Sequence, residues 1–267
     1  MSDIYAKITS IDDTILNNIA SVLETRALDA QQKEMLETYL SDIEFPEKAS
    51  VLEIGSGTGP VIRKIAEQEN IKQAVGLDPS PVFLEHARRL AIENELLTFV
   101  EGDALNLPFN DNSFDIVVFH TTLCHIPETE KALSEARRVL KRNGQLLIFD
   151  ADYSSTSLAS SPIDPLTIVA DAAVKIIAFH PFIVSKLPDL LKRAGFQLRK
   201  QRGYCYHGNI SPDYMLTIVD RGAEALHNDG KIGRELADSL KQEARRRVEE
   251  GVFFGHINYA SFLSTTN

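Results

Sequence analysis

Glu53 stands two residues ahead of three closely spaced glycines, Gly55, Gly57 and Gly59, and Asp78 follows about twenty residues after the turn. Glycines at this spacing let backbone N–H groups come close to a bound molecule. A carboxylate beside them is a poor neighbour for a pyrophosphate, so the turn suits a ligand with a cationic end. A dinucleotide fingerprint would also place its third glycine at residue 60, which is Pro60. Asp78 sits where an open α/β sheet places the acidic residue that bonds sugar hydroxyls. Farther on, His120 and His125 flank His120-Thr121-Thr122-Leu123-Cys124-His125. Imidazole titrates near neutral pH, so either can serve as a proton acceptor, or shape a pocket without exchanging protons.

These groups need a scaffold that brings them together. Val51-Leu52-Glu53-Ile54 reads as a buried strand, and Val61, Ile62, Ile65 and Ala66 as the helix after the turn. Strands are expected at Ala74 to Leu77, Leu97 to Val100, Ile116 to Phe119 and Gln145 to Phe149. The fourth is apolar without alternation, as in the middle of a parallel sheet covered on both faces. Gly144 is expected to take a left-handed conformation before the fifth strand. Between residues 4 and 40 the apolar spacing gives two helices, the second capped by Asp29 with Gln32. Beyond Asp150 come helices over Leu166 to Ala178, ending near Ala194-Gly195, over about 212 to 228 and over about 231 to 250. Strands are expected at Phe196 to Tyr204 and Val252 to Leu263. The charge run from Lys241 to Glu250 reads as a solvated helix face.

The stretch from Glu53 to Gly59 resembles motif I of the class I S-adenosylmethionine (SAM)-dependent methyltransferases. Leu107-Pro108-Phe109 through Ser113-Phe114-Asp115 resembles their ubiquinone-biosynthesis-like branch. The resemblance covers roughly the first 150 residues. It implies a Rossmann-like, mostly parallel seven-stranded sheet in the order 3-2-1-4-5-7-6, with helices on both faces and a helical cap. Residues 1–45 would form an N-terminal helical cap, and residues 46–267 the SAM-binding domain, with cap insertions at about 151–180 and 208–250. SAM would meet Glu53 and the three glycines at its methionine end, Asp78 and Pro79 at its sugar, and Asp103, Ala104 and Leu105 at its adenine. Arg26 would meet its carboxylate, as in methyltransferases similar to glycine N-methyltransferase. Tyr5 would cover it, and His120 would lie beside the methyl group. The cap supplies Tyr153, His180, Tyr206, His207 and Tyr259 as candidate substrate contacts, with Tyr204 and His256 near them; their aromatic bodies and polar tips suit a mostly apolar ligand.

Composition narrows the class of partner. With 28 Lys and Arg against 38 Asp and Glu, the net charge of -10 argues against a nucleic-acid backbone as partner and favours a small molecule. Cys124 and Cys205 are too few for a disulfide framework or a zinc site, and are expected as buried thiols in a reducing cytosol. No apolar run spans a bilayer, so a cytoplasmic monomer or homodimer without bound metal is expected. The expected function is methyl transfer to a small-molecule acceptor at C, N or O, in secondary metabolism. Two alternatives remain: a SAM-binding sensor or accessory protein without catalysis, and a nicotinamide-dependent oxidoreductase, which Pro60 and Glu53 count against.

Overall fold

The computed structural model describes residue 3, residues 5–91 and residues 94–266. A 3-10 turn, Tyr5–Ser10, leads into α1 (Asp13–Leu28), whose first turn is capped by the Asp12 carboxylate accepting the Thr14 N–H. Asp29 caps α2 (Ala30–Leu40) by accepting the N–H groups of Gln31 and Gln32. The reciprocal half of the expected cap is absent, because the Gln32 side chain donates instead to the Tyr259 hydroxyl.

The nucleus of the fold is β1 (Ala49–Ile54), buried along its whole length. It is followed by α3 (Pro60–Ala66), β2 (Ile71–Asp78), α4 (Pro81–Leu90), β3 (Leu97–Glu101) and β4 (Phe114–His120). Next come α5 (Thr129–Val139) and β5 (Leu140–Ser157), a strand much longer than the apolar run at residues 145–149 suggested. The second half holds α6 (Leu166–Ile177), α7 (Ile183–Arg193), β6 (Gln197–His207), α8 (Pro212–Asn228), α9 (Arg234–Glu249) and β7 (His256–Thr265). The seven strands form one sheet in the order β3-β2-β1-β4-β5-β7-β6, with helices on both sides. β1 to β5 run parallel, and β7 slots antiparallel between β5 and β6.

Register explains why the chemistry gathers at one edge. Ile54 pairs with Leu77 on one side and with Phe119 on the other, so Gly55, Asp78 and His120 emerge side by side from three neighbouring strands. Asp78 in turn pairs with Glu101, which carries Asp103 to the same edge. The carboxyl ends of parallel strands therefore form a continuous rim, where an open α/β sheet places its ligand.

Two local expectations are corrected. Asn143, at φ 62°, takes the left-handed position that was assigned to Gly144. Gly144 is needed for room instead: a Cβ there would lie 2.8 Å from the Lys141 carbonyl oxygen. Cys124 is buried, but Cys205 is exposed, because β6 is an edge strand whose residues are mostly open to solvent.

Candidate active site

The strand ends border a cavity of about 680 Å3, within the range of small-molecule sites. Its floor is the turn after β1. Gly55 and Gly59 have φ of 73° and 81°, the left-handed region that glycine enters freely. Space adds to the demand: a Cβ on Gly55 would lie 2.3 Å from the Thr122 side chain, and one on Gly59 would lie 2.8 Å from the Phe99 ring. Gly59 sits behind the wall as the N-cap of α3, whereas Gly55 and Gly57 face the cavity.

Glu53 is only 2% exposed, and its Oε2 accepts the Ile62 N–H at 2.9 Å, so the carboxylate caps α3 as well as lining the cavity. Burial pushes its carboxyl well above the usual range, and the nearby Asp78 charge pushes the same way. Asp78 accepts Gly57 N–H at 2.8 Å and Ser80 N–H at 2.9 Å, tying the glycine turn to the end of β2. Burial raises its pKa to about 6 against these two hydrogen bonds. Both carboxyl groups therefore hold protons more tightly than exposed carboxylates do. A cationic or hydroxyl-bearing ligand would stabilise their ionised forms.

On the opposite wall Arg26, from the last turn of α1, places Nη2 3.0 Å from His120 Nε2 and 3.0 Å from Thr121 Oγ1. Since guanidinium only donates, His120 Nε2 accepts, and Nδ1–H then donates to the Tyr39 hydroxyl at 2.7 Å. Burial and the Arg26 charge hold the imidazole well below its usual pKa. His120 also stacks on Phe149, with ring centroids 5.0 Å apart. A ring with both nitrogens engaged and a cation on its lone pair is built to hold Arg26 in place rather than to receive a proton. Among the described residues no carboxylate makes an ion pair with Arg26.

His125 differs. It lies in a 3-10 turn, Leu123–His125, with Nδ1 against the Asp3 carboxylate and the ring against Tyr5 at 4.4 Å between centroids. Asp3 also accepts the N–H groups of Tyr5 and Phe179, which pins the start of the described chain over the cavity. With Nδ1 turned to Asp3, His125 is one of the residues that line the cavity.

The wall also contains Tyr5, Pro79, Asp103, Ala104 and Leu105, and Tyr153 from the far end of β5. The other candidate substrate contacts lie elsewhere. Tyr206 is buried, with its hydroxyl on Asp29 and the Ser211 carbonyl oxygen, and Tyr259 is buried against Gln32 and Tyr214. His180 binds the Pro127 carbonyl oxygen outside the cavity. His207 is exposed on β6, and Tyr204 and His256 do not line the cavity either. Sequence reasoning gave no site role to Asp3, Tyr39, Tyr214 or Arg221, of which Tyr214 and Arg221 line the cavity. Arg221 carries a readable signal: it falls on the apolar stripe of α8, seven residues after Tyr214 and three after Ile218, where a solvated arginine does not belong.

The residues fit a zwitterionic amino-acid group on a nucleoside. Glu53 offers a carboxylate, Arg26 a guanidinium without a carboxylate partner, and Gly57 a bare backbone whose Cβ would press on Leu23 at 3.1 Å. Comparison with known proteins points the same way. A family model described as "Methyltransferase domain" matches residues 52–148. The demethylmenaquinone methyltransferase of Thermotoga maritima is 39% identical over 105 residues, covering 39% of this chain and 44% of that protein. The ubiquinone/menaquinone biosynthesis C-methyltransferase of Brucella abortus is 32% identical over 224 residues, covering 76% of this chain and 80% of that protein. The chain thus spans about half the length of several curated relatives and most of the Brucella protein. A Bacillus halodurans protein described as a methyltransferase shares the fold, with a TM-score of 0.63 and 22% identity over 86% of this chain and 97% of that one.

Proposed function

The chain belongs to the class I SAM-dependent methyltransferases, in their ubiquinone-biosynthesis-like branch, and from that premise we propose that it methylates a small-molecule acceptor held under its cap. One observation carries the reading: one cavity is lined both by Glu53 and by Arg26, whose guanidinium makes no ion pair among the described residues, and the two are complementary to an amino acid in its zwitterionic form. When bound, SAM supplies a methyl group activated on a sulfonium.

The protein's task is then placement and shielding. Arg26 grips the carboxylate of the methionine end and Glu53 receives its ammonium. Asp78 accepts the sugar hydroxyls, with Pro79 beside it, and Asp103, Ala104 and Leu105 surround the base. Alignment of an acceptor with the methyl carbon is worth on the order of 7–11 kcal/mol of barrier. Residues 1–45 and the insertions at about 151–180 and 208–250 form the cap that keeps water out, with Tyr5 lining the cavity ahead of α1 and Tyr153 lining it at the far end of β5. For an acceptor that must lose a proton from oxygen or carbon, His125 Nε2 receives it and Asp3 steadies the imidazolium. His120 positions Arg26.

No described helix is long and apolar enough to cross a membrane. A cytoplasmic protein acting on a small molecule and not on nucleic acid, as monomer or homodimer, accords with the acidic balance. Calorimetry with S-adenosylhomocysteine (SAH) and NADH tests the cofactor. Micromolar SAH binding without NADH binding is expected, and the reverse overturns the assignment. Absence of SAH formation across C-, N- and O-acceptor panels would leave a sensor.

A further inference from the structure

Arg26 is not the cavity's only arginine. Arg221, on α8, also lines it, with its guanidinium beside the phenol of Tyr5 and close to those of Tyr214 and Tyr153. Its neighbours on the helix are all committed elsewhere. Asp220 holds Arg245 at 2.8 Å, and Glu224, one turn along from Arg221, is taken by Arg234 at 2.7 Å and by Lys241. The Asp3 carboxylate is filled by three N–H donors. Among the described residues Arg221 makes no ion pair, in a chain with ten more acidic than basic side chains. Arg221 is half-buried, and partly desolvating a guanidinium without a counter-charge is costly, so its place in the cavity suits an anion.

Tethering separates its task from that of Arg26. Both guanidinium groups lie near Tyr5, Tyr153 and Tyr214, and Arg26 stands 5.9 Å from the Tyr214 ring centroid, but Arg26 is bound to His120 and Thr121 at the ends of the sheet strands, whereas Arg221 reaches the cavity from α8. The same cavity is lined by the apolar Ile126, Pro127 and Ile177. One planar cation with phenol hydroxyls around it matches a single carboxylate, which guanidinium grips through two parallel hydrogen bonds; a phosphate dianion would call for more positive charge.

We propose that Arg221 is the acceptor anchor: the methyl acceptor carries one carboxylate on an apolar body, and Arg221 grips that carboxylate from the cap while Arg26 holds the cofactor. The inference rests on the SAM reading above and adds the chemical class of its acceptor. Arg63, the third arginine of the lining, is held by Glu24, which leaves Arg26 and Arg221 for two carboxylates, one on each ligand, and selects acids over the matching neutral molecules.

The test uses the full-length protein saturated with SAH and three matched pairs of probes: benzoate and benzyl alcohol, phenylacetate and 2-phenylethanol, octanoate and octanol. The wild type is expected to bind at least one acid tenfold or more tighter than its alcohol. R221Q should abolish that preference while its Kd for SAH stays within twofold, and R221K should keep part of it. Equal binding of acids and alcohols by the wild type, or an intact preference in R221Q, overturns the proposal. So does an R221Q variant that loses SAH in step with the acids, since Arg221 would then serve the cofactor. If R221Q has no cooperative thermal transition, the wild-type comparison and R221K decide. A wild type that binds no SAH removes the cofactor reading and this inference together, an outcome distinct from SAH binding without selection for acids.

Discussion

His125 Nδ1 lies 2.7 Å from an Asp3 carboxylate oxygen, a contact between residues 122 positions apart that closes the start of the described chain over the cavity. If this pair receives the acceptor's proton, H125Q should lower kcat on an O–H or C–H acceptor by about a hundredfold with the KM for SAM unchanged. D3N should cost about tenfold, because the imidazolium formed on proton transfer loses its counter-charge. Single-turnover rates read both effects. A change under threefold in H125Q makes the histidine a wall residue only.

Asp78 sets a pH dependence whose sign follows from its burial. Its pKa is about 6 in the folded protein against an ordinary 3.8, so the unliganded fold binds this proton more tightly than the unfolded chain does. The resulting stabilisation is complete below about pH 4 and is lost as pH rises through about 6. Ligand binding runs the other way, since the ionised carboxylate is the better acceptor for sugar hydroxyls. SAH affinity should therefore climb between pH 5 and 7, with proton release on binding detectable in buffers of different ionisation heat. D78N should flatten the profile and weaken SAH by about 10- to 100-fold, the cost of losing a charged acceptor.

Arg26 should discriminate between parts of the cofactor. R26Q is expected to weaken SAH by about 10- to 100-fold, corresponding to a charge-assisted hydrogen bond of roughly 1.5–3 kcal/mol. Adenosine, which has no carboxylate, should bind the variant as it binds the wild type. Equal losses for both ligands would mean that Arg26 supports the wall rather than the methionine end.

Gly55 should tolerate no side chain. G55A combines strained backbone at φ 73° with a contact of 2.3 Å to Thr122, and should cost about 2–3 kcal/mol and several degrees of Tm. T122A removes the clashing atoms but not the strain, so G55A/T122A should recover part of the loss in a double-mutant cycle.

The rim of strand ends was readable because it is local. β1, its glycines and Asp78 lie within one stretch of the chain, and parallel pairing makes consecutive strand ends neighbours. The order of β7 and β6 came from resemblance, since nothing in their composition says which strand inserts. The acceptor half was mostly illegible. Tyr206 and Tyr259 look like cavity residues by type, yet they are core residues whose hydroxyls find partners in Asp29, Gln32 and Tyr214. The partner of His125, Asp3, is 122 residues distant, and spacing cannot reveal such a contact. Cys205 shows the same limit: the edge position of β6, not the residue type, leaves it open to solvent.

The place of β7 between β5 and β6 dictates an order of assembly on the ribosome. The five parallel strands that carry the cofactor rim can zip together while the remainder is still being translated. β6, made earlier than β7, pairs with no other strand, so it must wait with both edges bare until residues 256–265 emerge. A nascent chain stalled shortly before that point would present a finished cofactor rim beside an open strand, which makes this late interval the one in which a holding chaperone matters most.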